Sequence, residues 1–147
     1  MKRKNFQLSE HFSYNTMTRP DWASRLHADN TPDELQTAAL RNLCRVLLEP
    51  LYAQFGPLSI RCAFCSEQFN QSLHGVGASK HLTGEAVDLI LPDIDTGRAY
   101  YRFIQQQIDY DQLYFEHRRD GSQWLHCSVL LDASENRHQA FPNYRRP

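Results

Sequence analysis

The stretch Ser79-Lys80-His81-Leu82-Thr83-Gly84-Glu85-Ala86-Val87-Asp88 sets a histidine and a carboxylate seven positions apart across a glycine. Imidazole nitrogen and carboxylate oxygen are both zinc ligands, and a catalytic zinc takes three protein donors with a fourth position left for water. The segment therefore reads as a metal site short of one donor. His126, within Gln123-Trp124-Leu125-His126-Cys127-Ser128-Val129, is the third candidate. Zinc held by His81, Asp88 and His126 would lower the pKa of a water and polarise a carbonyl oxygen, which is amide-hydrolysing chemistry if a base stands near. Glu116, at the end of an expected strand, is the carboxylate best placed to take that water's proton and pass it to the leaving amine.

These residues need elements to hold them. Ala86 to Leu91 reads as a largely buried strand stopped by Pro92, and Asp88 inside it is costly unless paired with a cation or metal. Gln112 to Glu116 and Trp124 to Leu130 read as two strands joined by a polar turn containing Asp120-Gly121, a hairpin signal that makes Glu116 and His126 neighbours. Gly75, Gly77 and Gly84 punctuate the loop that carries His81. Upstream, Thr31-Pro32-Asp33-Glu34 predicts a helix start with Thr31 as N-cap and Glu34 closing a capping box. Leu35, Ala39, Leu43, Val46 and Leu47 then share one helical face. The helix is expected to reach about Glu49, with Pro50 kinking or breaking its last turn and Gly56-Pro57 ending the element.

A short strand over Leu58 to Ala63, a short helix over Ser66 to Leu73 and an amphipathic helix from Thr96 to about Ile108 complete the elements. Residues 5 to 30 read as an arm packed on the domain, with one helical turn near Leu8 to Phe12. The tail from Asp132, polar and carrying Arg137, Arg145 and Arg146, is expected to be poorly ordered. The fold class is α+β, a small antiparallel sheet with helices on one side, in a single domain over residues 1–147 with an arm at 1–30 and a tail at 132–147.

At 147 residues the chain can bury a core unaided, and with 41% hydrophobic residues, 22% charged and a formal net charge of -1 it has no general pull toward nucleic acid or anionic membrane. No run is long and apolar enough to span a membrane, and Met1-Lys2-Arg3-Lys4 leads into polar sequence, so synthesis in the cytoplasm is expected, and work outside the cell would need some other means of release. The four cysteines, Cys44, Cys62, Cys65 and Cys127, are too few for a disulfide scaffold and are expected as thiols.

With these residues in view, the chain resembles the M15 zinc peptidases, the group of D-Ala-D-Ala carboxypeptidases and L-alanyl-D-glutamate endopeptidases, and among them the small single-domain versions of phages and prophages. Ser79, His81, Gly84, Ala86 and Asp88 match one family pattern, Asp111, Gln112, Leu113 and Glu116 another, and Trp124, His126 and Ser128 a third. Leu8 to Phe12 and Leu48-Glu49-Pro50 are similar as well. The resemblance implies a hedgehog/DD-peptidase-like fold, one zinc, peptidoglycan stem peptides as substrate, His81, Asp88 and His126 as ligands, and Glu116 as general acid/base; a monomer is expected.

Two departures stand out. Where the family carries Ser-Gly-Tyr-Arg-Ser, this chain has Cys62-Ala63-Phe64-Cys65-Ser66, and a thiol cannot supply the planar fork of the arginine. Either a group such as Arg61 or Lys80 substitutes, or the substrate differs, or activity is weak; Ser79, Arg61 and Cys65 are the candidate substrate contacts. Gln123 stands where some relatives place the acid, which leaves Glu116. A rival reading is a zinc-bearing but inactive module that binds cell wall or serves in a phage particle; another is a redox protein using Cys62 and Cys65. His11, His74, His117 and His138 read as surface residues, Asp111 and Gln112 as structural, Trp124 and Tyr114 as core, and Asn70 as a turn stabiliser.

Overall fold

The computed structural model describes residues 5–19, 29–72, 79–117 and 121–145. Its organising element is a five-stranded sheet. Strand β1 (Ser59–Cys62) pairs antiparallel with β2 (Ala86–Ile90), β2 with β4 (Gln123–Ser128), and β4 with β3 (Gln112–His117). A fifth strand, β5 (Gln139–Arg145), lies parallel to β3, giving the spatial order β1-β2-β4-β3-β5. The α+β class is as expected, while the segment expected as a poorly ordered tail forms the edge of the sheet. Its polar composition suits that place, because an edge strand has solvent beside it.

Side chains alternate along a strand, so the register sorts them into two faces. On one, Val87 pairs with Cys127, Leu89 with Leu125, Leu113 with Cys127 and Phe115 with Leu125. All of these are buried, and they belong to the main core with Leu40, Leu43, Leu47, Leu48, Tyr100 and Ile104 from the helices. Each fully buried leucine there contributes about 1.5–3 kcal/mol. The other face carries Asp88, His126, Tyr114, Glu116 and Trp124. One strand period thus separates packing from chemistry.

The helical layer differs from its sequence reading at both ends. Helix α1 is Tyr14–Thr18, capped by Ser13, and replaces the turn expected at Leu8 to Phe12, where Leu8 and Ser9 instead donate to the Phe12 carbonyl. Helix α2 (Glu34–Leu43) starts two residues later than expected from Thr31 as cap: Asp33 is the N-cap, its carboxylate accepts from Gln36 N–H, and Gln36 Oε1 accepts from Asp33 N–H. The carboxylate is the stronger cap, and Thr31 is occupied with Asp29, to which its N–H and hydroxyl both donate.

The helix also does not end at Pro50. A π-helical segment, Cys44–Leu48, follows α2, in which Glu49 N–H donates to the Cys44 carbonyl, and α3 (Glu49–Phe55) continues to Gly56. A wider turn absorbs the missing donor and the ring of Pro50 without breaking the rod. The buried stripe is also offset from the expected one. Leu40, Leu43, Cys44, Leu47, Leu48 and Leu51 face the core, while Leu35, expected on that face, is 69% exposed.

Helix α4 (Glu67–Ser72) and the long helix α5 (Ile94–Gln107), capped by Asp93, are close to their expected spans. Gly97 of α5 is where the helix meets the sheet. A Cβ there would stand 2.6 Å from Phe115 Cε2 and 2.7 Å from Leu91 Cδ1, so a larger residue would have to push these side chains aside. Among the described residues no helix is long and apolar enough to cross a membrane.

Candidate metal centre

Each candidate ligand is delivered by a different local device. His81 sits in a 3-10 turn, Lys80–Thr83, whose N-cap Ser79 accepts the His81 N–H in its side chain. The turn ends at Gly84 in the left-handed region (φ 76), where a Cβ would lie 2.6 Å from the Gln36 backbone oxygen. Glycine is required there for both reasons. Gln36 also donates from Nε2 to the Leu82 carbonyl at 3.1 Å, so the first turn of α2 holds the loop from outside. Asp88 and His126 are a directly opposed pair on β2 and β4, which puts both side chains on the face away from the leucine core.

The three groups converge. His126 Nδ1 lies 2.8 Å and His81 Nε2 3.3 Å from Asp88 Oδ1, and one donor atom from each residue falls within 4.8 Å of the others. The rings of His81 and His126 meet edge to face at 5.1 Å between centroids. His81 Nδ1–H donates to the Ala63 carbonyl at 2.6 Å, which fixes the tautomer and aims Nε2 at the site. All three side chains are largely buried, at 11%, 7% and 14% exposure for His81, Asp88 and His126.

Two imidazoles and a carboxylate are the donor set of a catalytic zinc site, and the Ala63 carbonyl behind His81 supplies the hydrogen-bond partner such a ligand needs on its other ring nitrogen. Without a metal the charges settle among themselves. Burial opposes the charged form of Asp88, but His81 and His126 outweigh it and hold the carboxyl well below the usual range. Burial likewise lowers His81, and the attraction and hydrogen bond of Asp88 more than reverse it, raising the imidazole to about 9. A divalent cation held by the same three residues would take that proton's place beside Asp88.

Around the donors, Glu116 is buried and lies on the same face, diagonal to His126, because Glu116 opposes Trp124 and Tyr114 opposes His126. Neighbours of that kind sit about 7–8 Å apart in sheet geometry. Tyr114 stacks between this centre and the edge: its ring centroid is 5.5 Å from His126 and 4.8 Å from Phe141 of β5. Trp124 is buried as expected, yet both it and Tyr114 lie on the site face rather than in the leucine core.

The three expected substrate contacts are placed differently from one another. Arg61 stands at the irregularity in the β1–β2 register, its guanidinium 4.6 Å over the Trp124 ring and 3.8 Å from Asp88 Oδ2, with one third of its side chain exposed. Ser79 is the cap of the His81 turn. Cys65, 3% exposed, points its sulfur at Cys62 Sγ, 3.1 Å away, and offers a substrate almost no surface. Sequence reasoning missed Gln36 and the Ala63 carbonyl, since a backbone oxygen leaves no residue-type signal. It also missed Asn30, a buried amide that donates to the Thr18 and Phe64 carbonyls and accepts from Ser66 N–H, pinning the 63–66 loop.

The remaining candidates are peripheral. Asp111 is a structural anchor, fully buried, with Arg137 donating to both of its oxygens and Ser128 Oγ bonded to one. His11 stacks on Tyr52 and bonds Glu49, and His138 pairs with Asp109. His74 and the side chain of His117 lie outside the described residues.

No curated protein matches the chain. The family profile described as peptidase M15 matches residues 10–128, a span that contains all three metal-ligand candidates and Glu116. With that match across most of its length and a His-Asp-His centre at its sheet, the chain belongs to the peptidase M15 family.

Proposed function

We propose that the protein hydrolyses amide bonds in peptidoglycan stem peptides, with His81, Asp88 and His126 holding one zinc and Glu116 serving as general base and then general acid. Zinc, when bound, supplies a Lewis acid for the scissile carbonyl and a lowered pKa for water. Glu116 takes the proton of the attacking water and returns it to the departing amine nitrogen. Asp88 neutralises the site and orients the two imidazoles, while the Ala63 carbonyl keeps the proton of His81 on Nδ1. Arg61, stacked on Trp124 at the rim, takes the place of the missing family arginine and receives a substrate carboxylate in a two-pronged contact.

The observation that carries this reading is the shared face: three convergent donors and a buried glutamate on the side of the sheet away from the core, in an M15 chain. The test is mass spectrometry of stem-peptide digests made with zinc-loaded protein, which also tells terminal from internal cleavage. New peptide products that vanish in Glu116→Ala support the proposal. Cys65 in place of arginine favours a second reading, a zinc-bearing binding module, and that reading expects muropeptide binding with no new products.

A further inference from the structure

Beside the metal centre lies a pair of thiols that the hydrolytic mechanism does not use. Cys62 ends β1 and Cys65 follows in the irregular segment before α4, and their sulfurs are 3.1 Å apart. With Phe69 they form a small buried cluster of their own, at 7% and 3% exposure. Cys44 and Cys127, by contrast, are packed into the leucine core. A disulfide needs about 2.05 Å between sulfurs, so closing the bridge asks for a movement of about 1 Å.

Whatever part of that movement the backbone takes up falls on residues that set the position of His81. Ala63, between the two cysteines, accepts the His81 Nδ1 proton at 2.6 Å, and the Cys65 N–H donates to the His81 carbonyl at 3.0 Å. Side chain and backbone of one metal-ligand candidate therefore both hang on the four-residue turn that the bridge would tighten. On the outer side Asn30 ties the Phe64 carbonyl in place, so the displacement cannot relax outward freely.

We propose that Cys62 and Cys65 are a redox-active dithiol, closed to a disulfide by small disulfide oxidants, and that closure weakens the metal grip of His81. The exchange balances within itself. Cys62, the more exposed of the two, gives up its proton and attacks a low-molecular-weight disulfide, forming a mixed disulfide and releasing one small thiol; Cys65 beside it then displaces the other small thiol and forms the internal bond. Two protein thiols are oxidised, one small disulfide is reduced, and both protons leave on the released thiols. Disturbing the hydrogen bond behind a metal-ligating histidine weakens metal binding by about 10–100-fold.

The coupling to metal rests on the zinc-site reading; the disulfide does not, and the experiment keeps them apart. Full-length protein is equilibrated with graded ratios of reduced to oxidised glutathione, alkylated and peptide-mapped, and zinc affinity of the reduced and oxidised forms is measured by competition with a chromophoric chelator. The expected result is a Cys62–Cys65 bridge that escapes alkylation and a zinc Kd raised about tenfold or more, both reversed by dithiothreitol. Cys65→Ser, and independently Cys62→Ala, should bind zinc without responding to oxidised glutathione. Cysteines that remain alkylatable, or that stop at the mixed disulfide, overturn the redox pair. A bridge that forms without changing the zinc Kd overturns the coupling, as does a reduced protein that takes no zinc, although the thiol map then still decides the disulfide.

Discussion

Asp88 has its carboxylate buried between two imidazoles, with one oxygen shared by both and Arg61 near the other. A buried charge of this kind is destabilising by several kcal/mol unless its partners are well placed, and two imidazoles and a guanidinium are what the surroundings provide. Two expectations belong to this scale. Glu116→Ala should retain stoichiometric zinc by elemental analysis while turnover of stem peptides falls about 10²–10⁴-fold, the usual worth of a positioned acid/base. Arg61→Lys should leave zinc content unchanged and raise KM more than it lowers kcat, because an ammonium keeps the charge but loses the fork. An unchanged KM would remove Arg61 from the substrate contacts.

At the scale of elements, the His81 turn is held by α2 as much as by its own sequence. Gly84 is both left-handed and pressed against the Gln36 carbonyl, so Gly84→Ala should lower stability by about 2–4 kcal/mol in denaturant unfolding, combining backbone strain with overpacking against main chain. Zinc affinity should fall with it, since the turn has to shift to admit the methyl. Asp33→Ala, which removes the cap that starts α2, should cost about 1 kcal/mol and disturb the loop through Gln36. Zinc binding that is indifferent to both would mean that the loop holds His81 unaided.

For the whole molecule, the carboxy-terminal segment closes the structure through Asp111. Its carboxyl is disfavoured as a charge by burial, but hydrogen bonds and attraction from Arg137, with Ser128 beside it, hold it below the usual carboxylate range. A group depressed in the folded state adds stability above its unfolded pKa of about 3.9 and loses it as pH falls through the folded value. Thermal unfolding followed from pH 6 downward, on scales of about one unit, should show the melting temperature dropping below about pH 4. Asp111→Asn should melt lower at neutral pH and show a shallower acid limb. An acid limb of equal steepness in the variant would assign the effect to other carboxylates.

How much of this was legible follows the same scales. The types of the candidate ligands, their order along the chain and the hairpin that carries Glu116 and His126 are local facts of residue chemistry and strand period, and the sequence by itself determined them, along with the α+β class. Local signals erred where two devices competed, as when Asp33 outdid Thr31 as cap, or where a π-helical turn let a helix pass Pro50. Only the tertiary structure decided that Asp88 and His126 are opposed on neighbouring strands, that the Ala63 carbonyl sets the tautomer of His81, and that the tail forms an edge strand beside β3. These depend on which strands pair and on backbone groups alike in every residue, so the chain's residue types carry no mark of them until it has folded.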